Sequence, residues 1–447
     1  MPAIPEAIHS ILALNALGAN AVLLNPTFDS HQMSKMLAKS KARLLVCASE
    51  VYGAVAQALD GTSISVVVEC SATNSMNPLV RAVKGRQKSS AALSWKEFIG
   101  KGQNICIGER ESSSDAPAIT VFSSGTTGEP KGIQLSNKSV TAMILQYSLA
   151  GFDMERQDRY FAQIPIWFST GIVVTMLVPL VLGITVILEP LYDFKVFRSH
   201  IRRYKPDYLI TATGLLEFLA SEEGKYEAYG SFKYLAIGGE YLAPSAEKRF
   251  NEWLAANGSV EGIHKGYGMC ECGGAVISTN SKVNKPGSSG IPLPHVVVSA
   301  FDISSNKELP YGERGELRVQ TPCAMLGYFA NQKATDTYFW TDVDGVRWAC
   351  TGDMGYVTEE GCVYVDGRIS DSYIDAKREV VYLFDIERAI LDIDCVRQCK
   401  AVACDVGGET THVCHITLAP GTNSDVTACE IEERWVTYNL LRTLTAA

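Results

Sequence analysis

Short apolar runs alternate with segments of helical apolar spacing over residues 21–70. Residues 21–24, 42–46 and 64–68 are strand-like runs, and the segments near 30–40 and 50–59 carry apolar side chains at helical spacing. Alternation of this kind predicts a parallel sheet covered by helices on both faces. Residues 71–115, rich in Ser, Lys and Gly, are predicted to form a loose connector.

A second alternating block begins near Pro206. It predicts strands at 208–210 and 234–237 and helices near 214–222 and 244–257. From residue 295 to 320 the pattern changes to paired strands, which predicts a small, partly antiparallel subdomain. After residue 368 the chain becomes charged and irregular before it alternates again, so we predict a boundary near Ser370, with domains at 1–369 and 370–447.

These patterns together predict an α/β fold class. The larger N-terminal domain would hold parallel sheets covered by helices and a small distorted antiparallel subdomain, and the C-terminal domain would be small and α+β. The nearly apolar stretch 171–188 is interrupted by Thr175, Pro179, Gly183 and Thr185. A buried helix followed by a buried strand suits it better than a membrane span.

One polar loop stands out against this background. Residues 119–122 are apolar and β-prone, and Lys131 follows a run in which hydroxyls and glycines alternate. The run consists of Ser123, Ser124, Gly125, Thr126, Thr127 and Gly128. Glycines let the backbone N–H groups approach an anion, and hydroxyls and a lysine add donors and charge, so the loop is predicted to cradle phosphate.

The alternative for this stretch is a flexible surface loop, but composition alone rarely orders residues in this way. It is not a Walker A loop, because Lys131 is followed by Gly132 instead of Ser or Thr. Apolar residues at helical spacing follow over 140–147, with Ser136 or Asn137 as N-cap. A strand, a phosphate loop and a helix are therefore predicted in order.

Composition limits the class of partner. The chain has 447 residues and a formal net charge of −9, without a long basic run, which argues against a nucleic-acid surface. Its 13 cysteines are scattered and odd in number, which favours a reduced, cytoplasmic compartment. No Lys or Arg precedes Lys35, so a secretory signal is not expected.

Residues 119–140 closely resemble the phosphate loop of the adenylate-forming enzymes, which include acyl-CoA synthetases, luciferases and peptide-synthetase adenylation domains. Later motifs follow in the family's order: residues 266–271, GYGMCE, resemble Tyr-Gly-x-Thr-Glu, and residues 351–353 resemble Thr-Gly-Asp. The resemblance implies ATP-dependent activation of a carboxylic acid as an acyl adenylate. It also implies Mg²⁺, transfer to a thiol such as CoA or a carrier protein, and a hinge near residue 370.

The same resemblance implies roles for individual residues. Lys131, Thr126 and Glu271 would be catalytic, with Glu271 holding Mg²⁺; Tyr267 would stack on adenine and Asp353 would accept the ribose hydroxyls. Cys270 stands where the family usually has threonine. The implied nucleotide contacts are Ser123, Ser124, Gly125, Thr127, Gly128, Gly238, Gly239, Glu240, Tyr267, Gly268, Cys270, Asp353 and Arg368.

The acid would bind beside Trp167 and Phe168, with Thr213 and Gly214 completing an apolar pocket. Amino-acid-activating relatives usually carry an Asp in this region to hold the ammonium group, and residues 164–171, IPIWFSTG, contain none. An apolar or aromatic carboxylic acid is therefore the predicted substrate. Packing of both aromatic rings in the core is an equally good interpretation of the same residues.

The resemblance does not extend over the whole chain. The family's preceding N-terminal segment and its C-terminal lysine motif are not found, and residues 375–378, DAKR, replace a glycine-rich run. Slow adenylation is therefore expected, with Lys377 as the one internal candidate to supply the missing charge. The alternative function is a catalytically impaired nucleotide-binding relative with a binding or regulatory role. Zinc sites at 270–272 or at Cys395, Cys399 and Cys404 lack a second ligand pair at zinc-finger spacing.

Overall fold

The computed structural model describes residues 1–71, 92–106, 108, 113–123, 130–189, 194–221, 226–375, 378–406, 409–419, 421–422 and 440–445. The α-helices are α1 Pro5–Ala16, α2 Ser30–Ser40, α3 Tyr52–Gln57, α4 Trp95–Gly102, α5 Asn137–Leu149, α6 Val178–Val181, α7 Phe194–Tyr204, α8 Thr213–Ala220, α9 Glu227–Gly230, α10 Pro244–Ala256, α11 Gln332–Tyr338 and α12 Leu383–Leu391. A π-helix, Thr170–Leu177, precedes α6, and single 3₁₀ turns occupy Ser49–Val51 and Cys270–Cys272.

The strands follow the same numbering. They are β1 Ala21–Leu23, β2 Leu44–Ala48, β3 Val66–Cys70, β4 Leu93–Ser94, β5 Pro117–Phe122, β6 Gly132–Ser136, β7 Arg159–Ala162, β8 Thr185–Leu188, β9 Tyr208–Thr211, β10 Tyr234–Gly238, β11 His264–Tyr267, β12 Ile277–Ser278, β13 Ile291–Pro292, β14 Val297–Phe301, β15 Gly315–Gln320, β16 Gly327–Tyr328, β17 Phe339–Thr341, β18 Arg347–Val357, β19 Val363–Arg368, β20 Ser372–Ile374, β21 Val380–Tyr382, β22 Val396–Val406, β23 Glu409–Leu418 and β24 Leu440–Thr445.

The chain divides into two compact units. The first unit comprises Met1–Ile210, Gly268–Ala275 and Thr321–Tyr338. The second unit comprises Thr211–Tyr267, Val276–Gln320 and Phe339–Ala447. The division expected near Ser370 falls inside the second unit and stays a prediction.

The first unit contains three groups of paired strands. Strands β2, β3 and β4 pair in parallel, as do β8, β7 and β9, in those orders. A third sheet has the order β1-β5-β6-β16. The predicted strands over 21–70 are thus confirmed, but β1 pairs with β5, nearly a hundred residues away, instead of with β2. Within 92–106, a described part of the predicted connector, the chain is more ordered than expected, because Ser94 and Glu97 form a capping box that begins α4.

The structure has the predicted strand, loop and helix in order, with one additional strand that was not predicted. Strand β6 lies between the loop and α5 and pairs antiparallel with β5. Ser136 is the N-cap of α5, as predicted: its Oγ accepts the Ser139 N–H at 3.0 Å. The apolar stretch 171–188 forms the expected buried helix and a following strand, β8. Within the described ranges, no helix is both long and apolar enough to cross a membrane.

The second unit is richer in antiparallel pairing. Strand β10 pairs in parallel with β11, while β12 and β13 continue in antiparallel pairs. A five-stranded antiparallel sheet has the order β14-β15-β18-β17, with β19 on β18, which confirms the predicted antiparallel subdomain. Near the C-terminus, α12 and the β22-β23 pair bury one apolar cluster that includes Ile386, Ile390 and Ile416, as expected of a small α+β element.

Candidate functional site

Two hydrogen bonds in the first unit join the two ends of the predicted phosphate loop. The Ser123 N–H donates to the Lys131 carbonyl at 3.0 Å, and Ser123 Oγ accepts the Lys131 N–H at 3.1 Å. These two bonds bring the ends of the loop together where β5 passes into β6. Residues 124–129 of the loop, which include the predicted Ser124, Gly125, Thr126, Thr127 and Gly128, lie outside the described residues.

Lys131, Tyr328 and Glu271 form one cluster in the first unit. The exposed Lys131 ammonium lies 5.1 Å from the centroid of the Tyr328 ring. The Tyr328 hydroxyl donates to Glu271 Oε1 at 2.8 Å. The ammonium thus lies over the face of the Tyr328 ring, and the carboxylate accepts from the hydroxyl at its edge.

Tyr328 was not among the site residues predicted from the sequence. In the sequence it follows Gly327, and this pair belongs to no motif that indicates a site. Its position comes from β16, which pairs antiparallel with β6 so that Tyr328 lies opposite Ile133. That pairing is long-range, and no local pattern encodes it.

Glu271 lies in the 3₁₀ turn Cys270–Cys272 and is half-buried. Its backbone carbonyl accepts the Met325 N–H at 2.8 Å, which fixes the turn. Burial raises the pKa of the Cys270 thiol, so at neutral pH this side chain offers a weak S–H donor where the family has a hydroxyl.

The residues present suit a Mg²⁺ site that is completed by substrate and water. Among the described residues, no group of three or more His, Cys, Asp or Glu side chains could hold a metal on its own. Mg²⁺ is commonly bound by one or two carboxylates together with water and substrate phosphates. Glu271, with one oxygen already oriented by Tyr328, fits the single carboxylate of such a site.

Tyr267, Asp353 and Arg368 form a second cluster, within the second unit. The Tyr267 hydroxyl donates to Asp353 Oδ2 at 2.5 Å, and Arg368 Nε lies 3.0 Å from Asp353 Oδ1. Arg368 also donates from Nη1 to the Thr351 carbonyl at 2.9 Å. The three predicted residues come together although Tyr267 and Asp353 are 86 positions apart.

Opposing effects act on the Asp353 carboxyl, whose residue is only 5% exposed. Burial raises its pKa, while the Arg368 charge and the Tyr267 hydrogen bond oppose that rise. Burial also raises the pKa of Tyr267, with the Asp353 charge as a second cause, so the phenol remains protonated and can donate. Asp353 therefore offers buried carboxylate oxygens held in a fixed direction.

The predicted adenine loop follows β10 in the second unit. Gly238 is the last residue of that strand, and Gly239 has φ +83°, a conformation that favours glycine. The Glu240 carboxylate accepts the Thr213 N–H at the start of α8. The structure thus brings Glu240 to Thr213, a predicted acid-binding residue, and Gly214 stands in the first turn of the same helix.

The predicted aromatic residues lie in the first unit. The rings of Trp167 and Phe168 are 6.3 Å apart and both residues are half-buried. Trp167 also lines a mainly apolar cavity of about 390 Å³, together with Ile166 and side chains from α1, β1, α2 and β2. Gly268, which begins the segment 268–275 of this unit, precedes the turn that carries Cys270 and Glu271.

Comparison with known proteins gives consistent matches. A model of the AMP-binding enzyme family matches residues 1–329. Probable 4-coumarate–CoA ligase 2 of Dictyostelium discoideum is 26% identical over 414 residues, covering 91% of this chain and 72% of that protein. Luciferin 4-monooxygenase of Nipponoluciola cruciata is 29% identical over 289 residues, covering 61% of this chain and 49% of that protein.

Solved structures show the same fold. An anthranilate CoA ligase in complex with anthranoyl-AMP matches with a TM-score of 0.84 at 21% identity, covering 100% of this chain and 82% of that chain. A benzoate CoA ligase from Burkholderia xenovorans matches with a TM-score of 0.82 at 20% identity, covering 100% of this chain and 84% of that chain.

Proposed function

Because this chain belongs to the AMP-binding enzyme family, we propose that it is an ATP-dependent acid–thiol ligase. In the first step a carboxylate oxygen attacks the α-phosphorus of ATP, and the bond to the bridging oxygen breaks to release pyrophosphate. In the second step a thiol sulfur, that of CoA, attacks the acyl carbonyl. AMP leaves, and the thiol proton passes to solvent.

The observation that carries the proposal is the Tyr267–Asp353–Arg368 cluster. The buried carboxylate is held by hydrogen bonding to a phenol and by an ion pair with a guanidinium, so it is suited to accept hydrogen bonds from the two ribose hydroxyls of ATP. Lys131 supplies a compact positive charge for the phosphates. Glu271 would hold Mg²⁺, which neutralises phosphate charge when bound, and Tyr328 orients the Glu271 carboxylate. Gly238, Gly239 and Glu240 would border the adenine.

The main task of these residues is to position two anions and to stabilise charge on the phosphates. The phosphate loop is part of this proposal because its residues match the family motif. These residues are Thr126, Ser123, Ser124, Gly125, Thr127 and Gly128. The buried free thiols of Cys272, Cys323 and Cys414 suit a reducing compartment, so we assign the reaction to the cytoplasm.

Replacing Asp353 with alanine is expected to weaken ATP binding about ten- to a hundredfold, because hydrogen bonds to a charged group are worth roughly 1.5–3 kcal/mol. Calorimetry with Mg²⁺ and ATP measures the change. The matched control is Asp344→Ala, which removes an exposed aspartate of the same unit and should leave affinity unchanged. Equal ATP affinity for Asp353→Ala and wild type would remove Asp353 from the ribose role.

The acid is expected to be apolar or aromatic and to lack an α-amino group. Trp167 and Phe168 are aromatic neighbours, and an unpaired ammonium in such a pocket costs several kcal/mol. The sharpest comparison is 3-phenylpropionate against phenylalanine, which differ only in the ammonium group. Pyrophosphate release should be faster with 3-phenylpropionate, within a panel of aryl, fatty and amino acids.

Faster release with phenylalanine would overturn the substrate class. ATP binding without pyrophosphate release from any acid in the panel would instead favour the alternative function, a nucleotide-binding relative. Lys377, the candidate for the charge of the C-terminal lysine motif, lies outside the described residues.

A further inference from the structure

Asp353 stands in an irregular part of the sheet of the second unit. Between two ladder pairs of β15 and β18, the three residues 351–353 lie opposite the single residue Leu317. Gly352, in the middle of them, has φ +69°, a conformation that glycine adopts without strain. Bulges of this kind re-aim a side chain next to a functional site.

The polar backbone groups of this bulge have partners outside the regular ladder. Thr351 Oγ1 donates to the Leu317 carbonyl at 2.6 Å and accepts the Asp353 N–H at 3.0 Å. The Gly352 N–H points to Glu316 Oε1 at 3.3 Å. The carboxylate of Glu316 is thus the acceptor for the N–H that immediately precedes Asp353.

Glu316 is itself held from the other side. Its Oε2 accepts the Arg318 Nε–H at 2.8 Å, and the Arg318 side chain is 4% exposed. The Arg318 guanidinium lies 4.8 Å from the ring centroids of both Phe301 and Trp340. Two aromatic rings therefore fix the arginine, and the arginine fixes the carboxylate.

This arrangement carries a cost in stability. Arg318 Nη1 is buried without a hydrogen-bond partner among the described residues. A buried donor without an acceptor costs stability, and a buried ion pair is often no more stable than packed apolar residues. The pair does, however, supply a rigid acceptor under the bulge.

We propose that Glu316, fixed by Arg318, is a positioning residue: it holds the Gly352 N–H and so aims the Asp353 carboxylate at the ribose hydroxyls of ATP. This inference rests on the proposed nucleotide role of Asp353. Glu316 acts through the backbone of the bulge and does not touch the nucleotide. Without this acceptor the turn at Gly352 loosens, and Asp353 no longer distinguishes a ribose from its deoxy analogue.

The test compares affinity for ATP with affinity for 2′,3′-dideoxy-ATP, which lacks both hydroxyls. Calorimetry gives the ratio of the two dissociation constants, expected to be roughly tenfold or more in the wild type and near one in Asp353→Ala. General damage to the fold would weaken both nucleotides alike, whereas loss of positioning weakens only ATP. The ratio therefore separates positioning from a merely structural role.

Two double variants isolate the acceptor. Glu316→Gln/Arg318→Met keeps a carbonyl oxygen opposite the Gly352 N–H and removes the donor that would face the amide nitrogen. Glu316→Met/Arg318→Met has the same arginine replacement but no acceptor. We expect the first to give a ratio between the wild-type value and one, because the acceptor remains but Arg318 no longer fixes it, and the second to fall to the Asp353→Ala value.

Each outcome decides one point. A ratio near one in the wild type would refute the ribose role of Asp353 and this inference with it. A collapsed ratio in Asp353→Ala together with an intact ratio in Glu316→Met/Arg318→Met would overturn the inference and leave the proposed function standing. If Glu316→Met/Arg318→Met does not fold, Glu316→Leu/Arg318→Leu, a second uncharged pair without an acceptor, gives the same decision.

Discussion

Replacing Lys131 with methionine is expected to slow acyl-adenylate formation on the order of a hundred- to a thousandfold, or about 3–4 kcal/mol. Methionine keeps an unbranched stem and removes the ammonium that lies over the Tyr328 ring. The reaction transfers charge onto phosphate oxygens, and a preorganised cation stabilises it most in the transition state. Pyrophosphate release at saturating acid and ATP measures the effect.

Lys138→Met is the matched control for this change. Lys138 is an exposed lysine in the first turn of α5, in the same unit, and lies outside the Lys131–Tyr328–Glu271 cluster. Its replacement should leave the rate within about twofold of wild type, as expected for a surface substitution. A Lys131→Met enzyme as fast as Lys138→Met would show that Lys131 has no catalytic role.

Replacing Lys265 with methionine should destabilise the second unit by about 3–5 kcal/mol, because it leaves a buried carboxylate without its partner. The Lys265 ammonium donates to Glu247 and, at 3.0 Å, to the Lys285 carbonyl. Both side chains of the pair are more than nine-tenths buried. The pair ties β11 to α10, two residues before Tyr267. Chemical denaturation, followed as the midpoint and slope of the unfolding transition, measures the loss.

The double variant Lys265→Met/Glu247→Gln tests the cause of that loss. It removes the uncompensated charge and keeps an amide oxygen for the Gly287 N–H, which donates to Glu247 Oε2 at 3.0 Å. We therefore expect it to recover part of the stability. A double variant as unstable as Lys265→Met, or a single variant that loses less than about 1 kcal/mol, would contradict a charge-based explanation.

Local patterns were sufficient where the structure depends on neighbouring residues. Apolar runs placed β5 and β10, helical spacing placed α2 and α10, and Ser136 marked the start of α5. Each of these elements depends on apolar side chains that recur along one face of a helix or strand, or on a hydrogen bond within one turn. The order of the loop ending at Lys131, the Glu271 turn and the Asp353 bulge carried the family resemblance in the same way, because a motif is a local arrangement.

Strand partners could not be predicted in the same way. Alternation shows which face of a strand is buried but does not specify its neighbour, so the pairing of β1 with β5 instead of β2 had no local signal. Helix α4, which lies in the predicted connector, was missed for another reason. The capping box that begins it involves only Ser94 and Glu97, and these two residues stand within a polar stretch.

The sequence by itself determined the family, many of the elements and the residues that we propose to face a nucleotide. Only the tertiary structure decided which side chains support them. Tyr328 reaches Glu271 from 57 positions away, and Glu316 reaches the N–H of Gly352 from 36 positions away. A tyrosine or a glutamate carries no chemical signal in isolation. Its role follows from the strand register that brings it against its partner, and that register depends on the packing of the whole unit.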